Sequence, residues 1–369
     1  MPMIPFVDFK ARVAALRDEL DEAMSRVVDS GWFILGPEVE ALEQELRAAF
    51  GAGEVVAVAN GTEALQLGLV AAGVGPGDEV VTTSLTAAFT GLAILSAGAR
   101  PVFVDVDPET LNLDPGAVDE AITPRTRAIV PVHLYGQPAD MDPILACAAE
   151  HGIAVVEDAC QAHGASYKGR TVGTLGACGA LSFYPTKNLG ALGDGGALLV
   201  GEPDLAARLR RLRNGGQSDR YRHDEPGINS RLDEIQAAIL RVGLKHLPRW
   251  TERRRELARF YRRELEGVGL RLTALLDETR PVHHLFVVRH ARRDALAAAL
   301  QERGVATLIH YPIPLHRQPA FATQGPMPET LPMVEKAADE ILSLPLYPEL
   351  TDSQAETVVA AVRDAVSTL

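Results

Sequence analysis

Ser182-Phe183-Tyr184-Pro185-Thr186-Lys187-Asn188-Leu189-Gly190 leads closely into Gly193-Asp194-Gly195-Gly196, and upstream lies Val155-Val156-Glu157-Asp158-Ala159-Cys160-Gln161-Ala162-His163-Gly164. The upstream piece reads as an apolar strand that ends on an acid. The downstream piece presents one lysine, after a serine and an aromatic residue, inside a glycine-rich turn. That combination suits pyridoxal phosphate chemistry. A lysine amine condenses with the cofactor aldehyde as a Schiff base, and an acid keeps a proton on the pyridine nitrogen so that the ring draws electrons. Each residue also has a plainer reading: Lys187 as an exposed loop lysine, and Asp158 as a helix N-cap after a strand. On a continuing strand Glu157 faces away from Asp158, and His163 reads as a satisfied core histidine.

Outward from this stretch, short apolar runs at 55–59, 79–83, 101–106, 128–132 and 154–157 alternate with helical segments. Residues 180–183 and 196–200 read as strands on either side of the Lys187 loop. This βαβ rhythm predicts an α/β fold with a mostly parallel sheet covered on both faces. Val13, Leu16, Leu20, Met24 and Val27 share a face and predict a helix over 10–30, with a second helix from Pro37 to Phe50. From about residue 231 the pattern turns helical, with a long helix from Leu232 onward and a basic helix over 249–265. A strand over 281–289 and helices over 292–303 and 355–366 complete the chain. The expected division is a large domain over 1–240 and a small C-terminal α+β domain over 241–369. Gly61 and Thr62 stand where a strand turns into a helix. Backbone N–H groups there bind phosphate, and glycine permits close approach; the plainer reading is a capping turn built on Asn60 or Thr62.

Bulk properties narrow the class. The chain has 369 residues, 47% hydrophobic and 23% charged, with a formal net charge of −13, which argues against a nucleic-acid partner. Cys147, Cys160 and Cys178 form no disulfide framework and show no metal-type spacing along the chain. The N-terminus lacks a signal-peptide core. The most apolar stretch, 86–99, is broken by Gly91, Ser96 and Gly98, so no membrane span is expected. The reading is a soluble, reduced, cytoplasmic protein without a metal. Gly215 to Gly227 is polar and charged, as a mobile or partner-contacting loop would be.

Further motifs carry a resemblance. They are Ile4-Pro5-Phe6-Val7-Asp8, Ser30-Gly31-Trp32-Phe33-Ile34-Leu35-Gly36, Asn60-Gly61-Thr62-Glu63-Ala64-Leu65, Gly75-Pro76-Gly77-Asp78-Glu79-Val80, Asn229-Ser230-Arg231-Leu232-Asp233-Glu234, His310-Tyr311-Pro312 and Leu342-Ser343-Leu344-Pro345. With the Asp158 and Lys187 segments, and in this order, the chain resembles the DegT/StrS-type sugar aminotransferases nearly end to end.

The resemblance implies PLP fold-type I, the aspartate aminotransferase-like architecture. It implies Lys187 as the Schiff-base lysine and proton carrier; relatives with histidine there act as dehydratases. Asp158 is then the partner of the pyridine nitrogen, Gln161 lies near the phenolic oxygen, and Gly61, Thr62 and Ser182 bind the phosphate. Asn229 reaches the phosphate of the neighbouring subunit's cofactor, which implies a homodimer with shared active sites. Tyr184, His310 and Tyr311 are implied on the substrate side. Many relatives place an aromatic residue after the threonine equivalent to Thr86; here it is Ala87, followed by Ala88 and Phe89. Arg213, Arg220, Arg222 and Lys168 are candidates for diphosphate or carboxylate, with solvated surface charge as the plainer reading. The implied activity is transfer of an amino group from L-glutamate to a nucleotide-linked keto sugar, through pyridoxal and pyridoxamine phosphate. The 32–36 and 229–234 motifs resemble enzymes acting at C-3 of dTDP-3-keto-6-deoxyhexoses. The alternatives are C-4 amination, amination of a keto-cyclitol, and a non-enzymatic PLP-binding sensor.

Overall fold

Seven strands make the central sheet: β1 (Glu54–Val58), β2 (Glu79–Thr83), β3 (Arg100–Val104), β4 (Thr126–Val130), β5 (Ala154–Asp158), β6 (Cys178–Ser182) and β7 (Gly196–Val200). Their spatial order is β1-β7-β6-β5-β4-β2-β3. The computed structural model describes residues 3–325 and 327–369. Within this sheet β7 alone runs antiparallel to its neighbours. The fold is therefore the expected α/β type with a mostly parallel mixed sheet.

The strands are apolar on both faces because both are covered. Val55, Val81, Ile129, Leu181 and Leu199 pack with the helices Pro37–Phe50 and Met141–His151. The alternate residues Val56, Val80, Val130, Ala180 and Leu198 pack with the helices Gly61–Ala71, Ala88–Ser96 and Pro203–Leu212. The period of two along each strand thus sorts side chains into two cores. The helix Pro37–Phe50 starts on Gly36, which has no capping side chain. Glu234, 1% exposed, supplies the cap from far along the chain, accepting from the N–H groups of Gly36, Glu38 and Val39 at 2.8, 2.7 and 3.0 Å.

A second sheet of three antiparallel strands follows: β8 (Arg271–Leu272), β9 (Phe286–Arg289) and β10 (Ile341–Leu344). Phe286 and Val288 face a core with Leu257, Leu296, Leu300 and Val362, while Leu285 and Val287 face Leu85, Val132 and Tyr135 of the larger sheet's surroundings. Ile4 joins this C-terminal core and bonds to Gly304 and Ala306.

Three elements differ most from expectation, the first being the strand expected over 281–289, which spans only Phe286–Arg289. The helix expected over 10–30 breaks at Leu16 into Phe9–Ala15 and Arg17–Ser30. The segments expected from Leu232 and over 249–265 form one 32-residue helix, Glu234–Leu265, which runs through Pro248. Burial of Leu240, Leu247, Trp250, Leu257 and Tyr261 on either side of Pro248 outweighs the missing backbone bond.

Candidate active site

The carboxyl ends of β5 and β6, the turn after β1 and the loop after β2 meet at one edge of the sheet, where ligands of open α/β sheets bind. Asp158 is the last residue of β5 and is buried. It caps no helix. Its Oδ2 accepts from the Thr90 hydroxyl at 2.8 Å and its Oδ1 from the Cys160 N–H at 3.1 Å. Thr90 is itself buried and lies 3.1 Å from the Thr86 hydroxyl. These two bonds leave the carboxylate with spare lone pairs. Glu157 faces the other way, as alternation requires, and accepts from His133, Gly173, Leu175 and Gly176 at 2.6–3.0 Å.

Lys187 follows β6 in a pinned turn. Its N–H donates to the Tyr184 carbonyl at 2.8 Å, Ala191 N–H reaches Phe183 at 2.8 Å, and Phe183 N–H reaches Gly195 at 2.7 Å. Asn188, buried, donates to the Val282 carbonyl at 3.1 Å and meets His284 Nδ1 at 3.2 Å, which ties the loop to the C-terminal part. Burial lowers the Lys187 amine below its ordinary range, against the pull of Cys160 and Asp158. A lowered amine is more often neutral and nucleophilic. No hydrogen bond engages Lys187 Nζ among the described residues.

The helix Gly61–Ala71 starts against Ser182. A Cβ on Gly61 would lie 2.7 Å from Ser182 Cβ and 3.0 Å from Cys160 Sγ. Asn60 is the cap, accepting from Glu63 N–H at 2.9 Å. The N–H groups of Gly61 and Thr62 have no acceptor among the described residues, and the Ser182 hydroxyl stands beside them. The capping turn therefore leaves two N–H donors free beside a hydroxyl, an arrangement able to receive an anion. With a free lysine amine and an acid bearing spare lone pairs, this edge fits pyridoxal phosphate.

Gln161 is held on both sides. Its Oε1 accepts from Tyr135 N–H at 2.7 Å and its Nε2 donates to Tyr311 OH at 3.0 Å. Tyr311 thus reaches the site from the C-terminal part. Burial, and then Asp158, raises its phenol. His310 Nδ1 meets Ser343 Oγ at 2.9 Å and its carbonyl accepts from Tyr135 OH; burial and then Lys187 push its imidazole down to about 4. Tyr184 and Asn229 are exposed. Phe89 is 62% exposed, turned to solvent beside Ala87. His163 is buried against Phe183, makes no well-formed hydrogen bond, and is pushed down to about 3 by burial and then Lys187.

The basic candidates divide. Arg213 is buried and bonds Glu43 at 2.5 Å and the Ala57 carbonyl at 2.7 Å, so its work is structural. Lys168 pairs with Asp142 at 2.6 Å and Arg222 with Asp224 at 2.7 Å. Arg220 lies over the exposed Tyr221 ring. The sequence reading assigns no role to Thr90, Tyr135, Asn188 or His284. The Thr86–Thr90 spacing at the start of a helix is the one local signal that could have found any of them.

Comparison with known proteins gives the context. Residues 14–363 match the model of the DegT/DnrJ/EryC1/StrS aminotransferase family. The chain is 50% identical over 364 residues to dTDP-3-amino-3,4,6-trideoxy-alpha-D-glucose transaminase of Streptomyces venezuelae, covering 98% of this chain and 96% of that protein. It is 45% identical over 360 residues to dTDP-3-amino-3,6-dideoxy-alpha-D-galactopyranose transaminase of Aneurinibacillus thermoaerophilus, covering 98% and 99%. The crystal structure of S. venezuelae DesV in complex with a ketimine intermediate superposes with a TM-score of 0.97 at 49% identity over the whole of both chains. The chain belongs to the DegT/DnrJ/EryC1/StrS aminotransferase family.

Proposed function

We propose that this aminotransferase uses pyridoxal phosphate to move the amino group of L-glutamate to C-3 of a dTDP-3-keto-6-deoxyhexose, giving a dTDP-3-amino sugar and 2-oxoglutarate. The observation that carries the reading is the pairing of a free, pKa-lowered Lys187 amine with the buried Asp158 carboxylate, in a chain half identical to a dTDP-3-amino-sugar transaminase.

When bound, the cofactor supplies an electron sink that allows a proton to leave the amino-acid α-carbon. Lys187 would hold it covalently and, with its amine free, would serve as the general base and acid that moves that proton. Asp158, fixed by Thr90 and Cys160 N–H, would keep a proton on the ring nitrogen. Gly61 N–H, Thr62 N–H and the Ser182 hydroxyl hold the phosphate. Gln161, locked by Tyr135 and Tyr311, would serve the phenolic side. Asn229, exposed on its own chain, serves the partner subunit's cofactor phosphate, which requires a homodimer. Tyr184, His310 and Tyr311 face the sugar. Residues 1–240 form the cofactor-binding domain and 241–369 the smaller domain, which contributes His310 and Tyr311.

The test is product analysis with nitrogen-labelled L-glutamate and a dTDP-3-keto-6-deoxyhexose. Label in the amino sugar, with 2-oxoglutarate in equal amount, supports the reading. Label transfer only to a 4-keto sugar or a keto-cyclitol moves the substrate, and no transfer from glutamate to any ketone overturns the enzyme assignment in favour of a sensor.

A further inference from the structure

Far from Asp158 the fold assembles three side chains that sequence spacing alone does not join. Cys147 and His151 stand at i and i+4 on the helix Met141–His151, so they share a face. Asp119 meets them from the last turn of the short helix Pro115–Glu120. One ligand atom from each lies within 4.8 Å of the other two. Cys147 Sγ is 3.6 Å and His151 Nε2 3.5 Å from Asp119 Oδ1. In a tetrahedral zinc-type site, with metal–sulfur bonds of about 2.3 Å and metal–nitrogen or metal–oxygen bonds of about 2.0–2.1 Å, those two ligand–ligand edges come to about 3.6 and about 3.4 Å. The protein edges are already at the lengths such an ion requires.

Electrostatics point the same way. His151 ends its helix and Asp119 lies in the last turn of its own, so two negative helix ends face the cluster and favour a cation. The Asp119 carboxylate and a Cys147 thiolate together carry two negative charges, and the neutral imidazole adds none. Without an ion the cluster is a surface hydrogen-bond group, in which the Cys147 thiol donates to Asp119. Burial and then the hydrogen bond to Asp119 raise that thiol.

We infer that Asp119, Cys147 and His151 form a site for one divalent transition-metal ion of the zinc and cobalt class, with a solvent molecule completing the tetrahedron. The ion binds one thiolate sulfur, one imidazole nitrogen and one carboxylate oxygen, and the Cys147 proton is released to solvent. The site is structural. The helix Met141–His151 feeds the amino end of β5, and Asp119 lies just before the amino end of β4. The cluster therefore sits at the edge of the sheet opposite Asp158, where it would tie two helices together. Magnesium and calcium are excluded by the soft ligands.

The test uses the untagged full chain with its cofactor, titrated with Co2+ after chelator treatment. The expected result is one equivalent per chain with the visible d–d bands of tetrahedral cobalt, a proton released on binding, and a raised melting temperature that Mg2+ does not reproduce. Cys147→Ser and His151→Ala each weaken binding by at least about tenfold, the lower end for disturbing a metal site's supporting shell. Both keep wild-type turnover in chelator. Absence of tetrahedral bands in the wild type, or bands unchanged in both variants, overturns the inference.

Discussion

Gly61→Ala is the sharpest probe of the proposed phosphate-binding edge. Gly61 has no left-handed φ, so alanine is acceptable to the backbone and its helix propensity favours it. The penalty is spatial. The new Cβ would lie 2.7 Å from Ser182 Cβ and 3.0 Å from Cys160 Sγ, where ordinary contact is 3.4–4 Å. The helix start must therefore retreat from β6 by up to about an ångström, within the overpacking range of about 1–3 kcal/mol. Binding the phosphate then either restores the clash or uses displaced N–H donors, and in both cases the cost appears in affinity. A cost of about 1–3 kcal/mol corresponds to about 5–150-fold. The assay is cofactor titration in a Lys187→Ala background, so that the covalent bond does not mask the non-covalent grip. Gly75→Ala is the control, since nothing lies within 4 Å of its Cβ. A Gly61→Ala protein that binds cofactor as well as the Gly75→Ala control would refute the reasoning.

Other outcomes follow from the same geometry. Lys187→Arg should cut turnover by about 10²–10⁴-fold, the range for losing a positioned proton carrier, while the circular dichroism of the fold stays unchanged. Thr90→Val removes a hydroxyl from a buried carboxylate and should cost about 1.5–3 kcal/mol in urea unfolding of cofactor-free protein; no loss would show that Asp158 finds another donor. Glu234→Ala strips three N–H groups of their acceptor and should cost on the order of 3 kcal/mol by the same measurement. His163 and His310 are neutral in the fold, with pKa values near 3 and 4. The unfolded chain takes up these protons as pH falls through about 6.5 and the folded chain does not, so stability is retained above that pH and lost progressively towards pH 4 and 3. His163→Leu should move the acid-unfolding midpoint to lower pH, and an unmoved midpoint would remove His163 from the account.

The fold was largely legible because its strands are short apolar runs punctuated by turns. The expected bounds 79–83 and 196–200 agree with β2 and β7. The break at Leu16 was hidden because the helices Phe9–Ala15 and Arg17–Ser30 continue one apolar face across it. The helix from Leu232 and the basic helix over 249–265 proved continuous because tertiary packing carries the helix through Pro248. At the site, Asp158 and Lys187 stood out because each sits in a distinctive local setting, an acid ending a strand and a lysine in a glycine-rich turn. Thr90 pairs with Asp158 from 68 residues away and His284 with Asn188 from 96, so neither contact leaves a local pattern. The same holds for Asp119 and Cys147, on separate helices that only the sheet brings together.

Amination at C-3 is decided by a single-turnover absorbance trace. The protein is first converted with L-glutamate to its amine-loaded form, excess donor is removed, and keto nucleotide sugars are added one at a time. The account predicts that the Lys187-bound cofactor band returns with a dTDP-3-keto-6-deoxyhexose and not with its 4-keto isomer. Return with the 4-keto isomer alone, or with neither sugar, would contradict it.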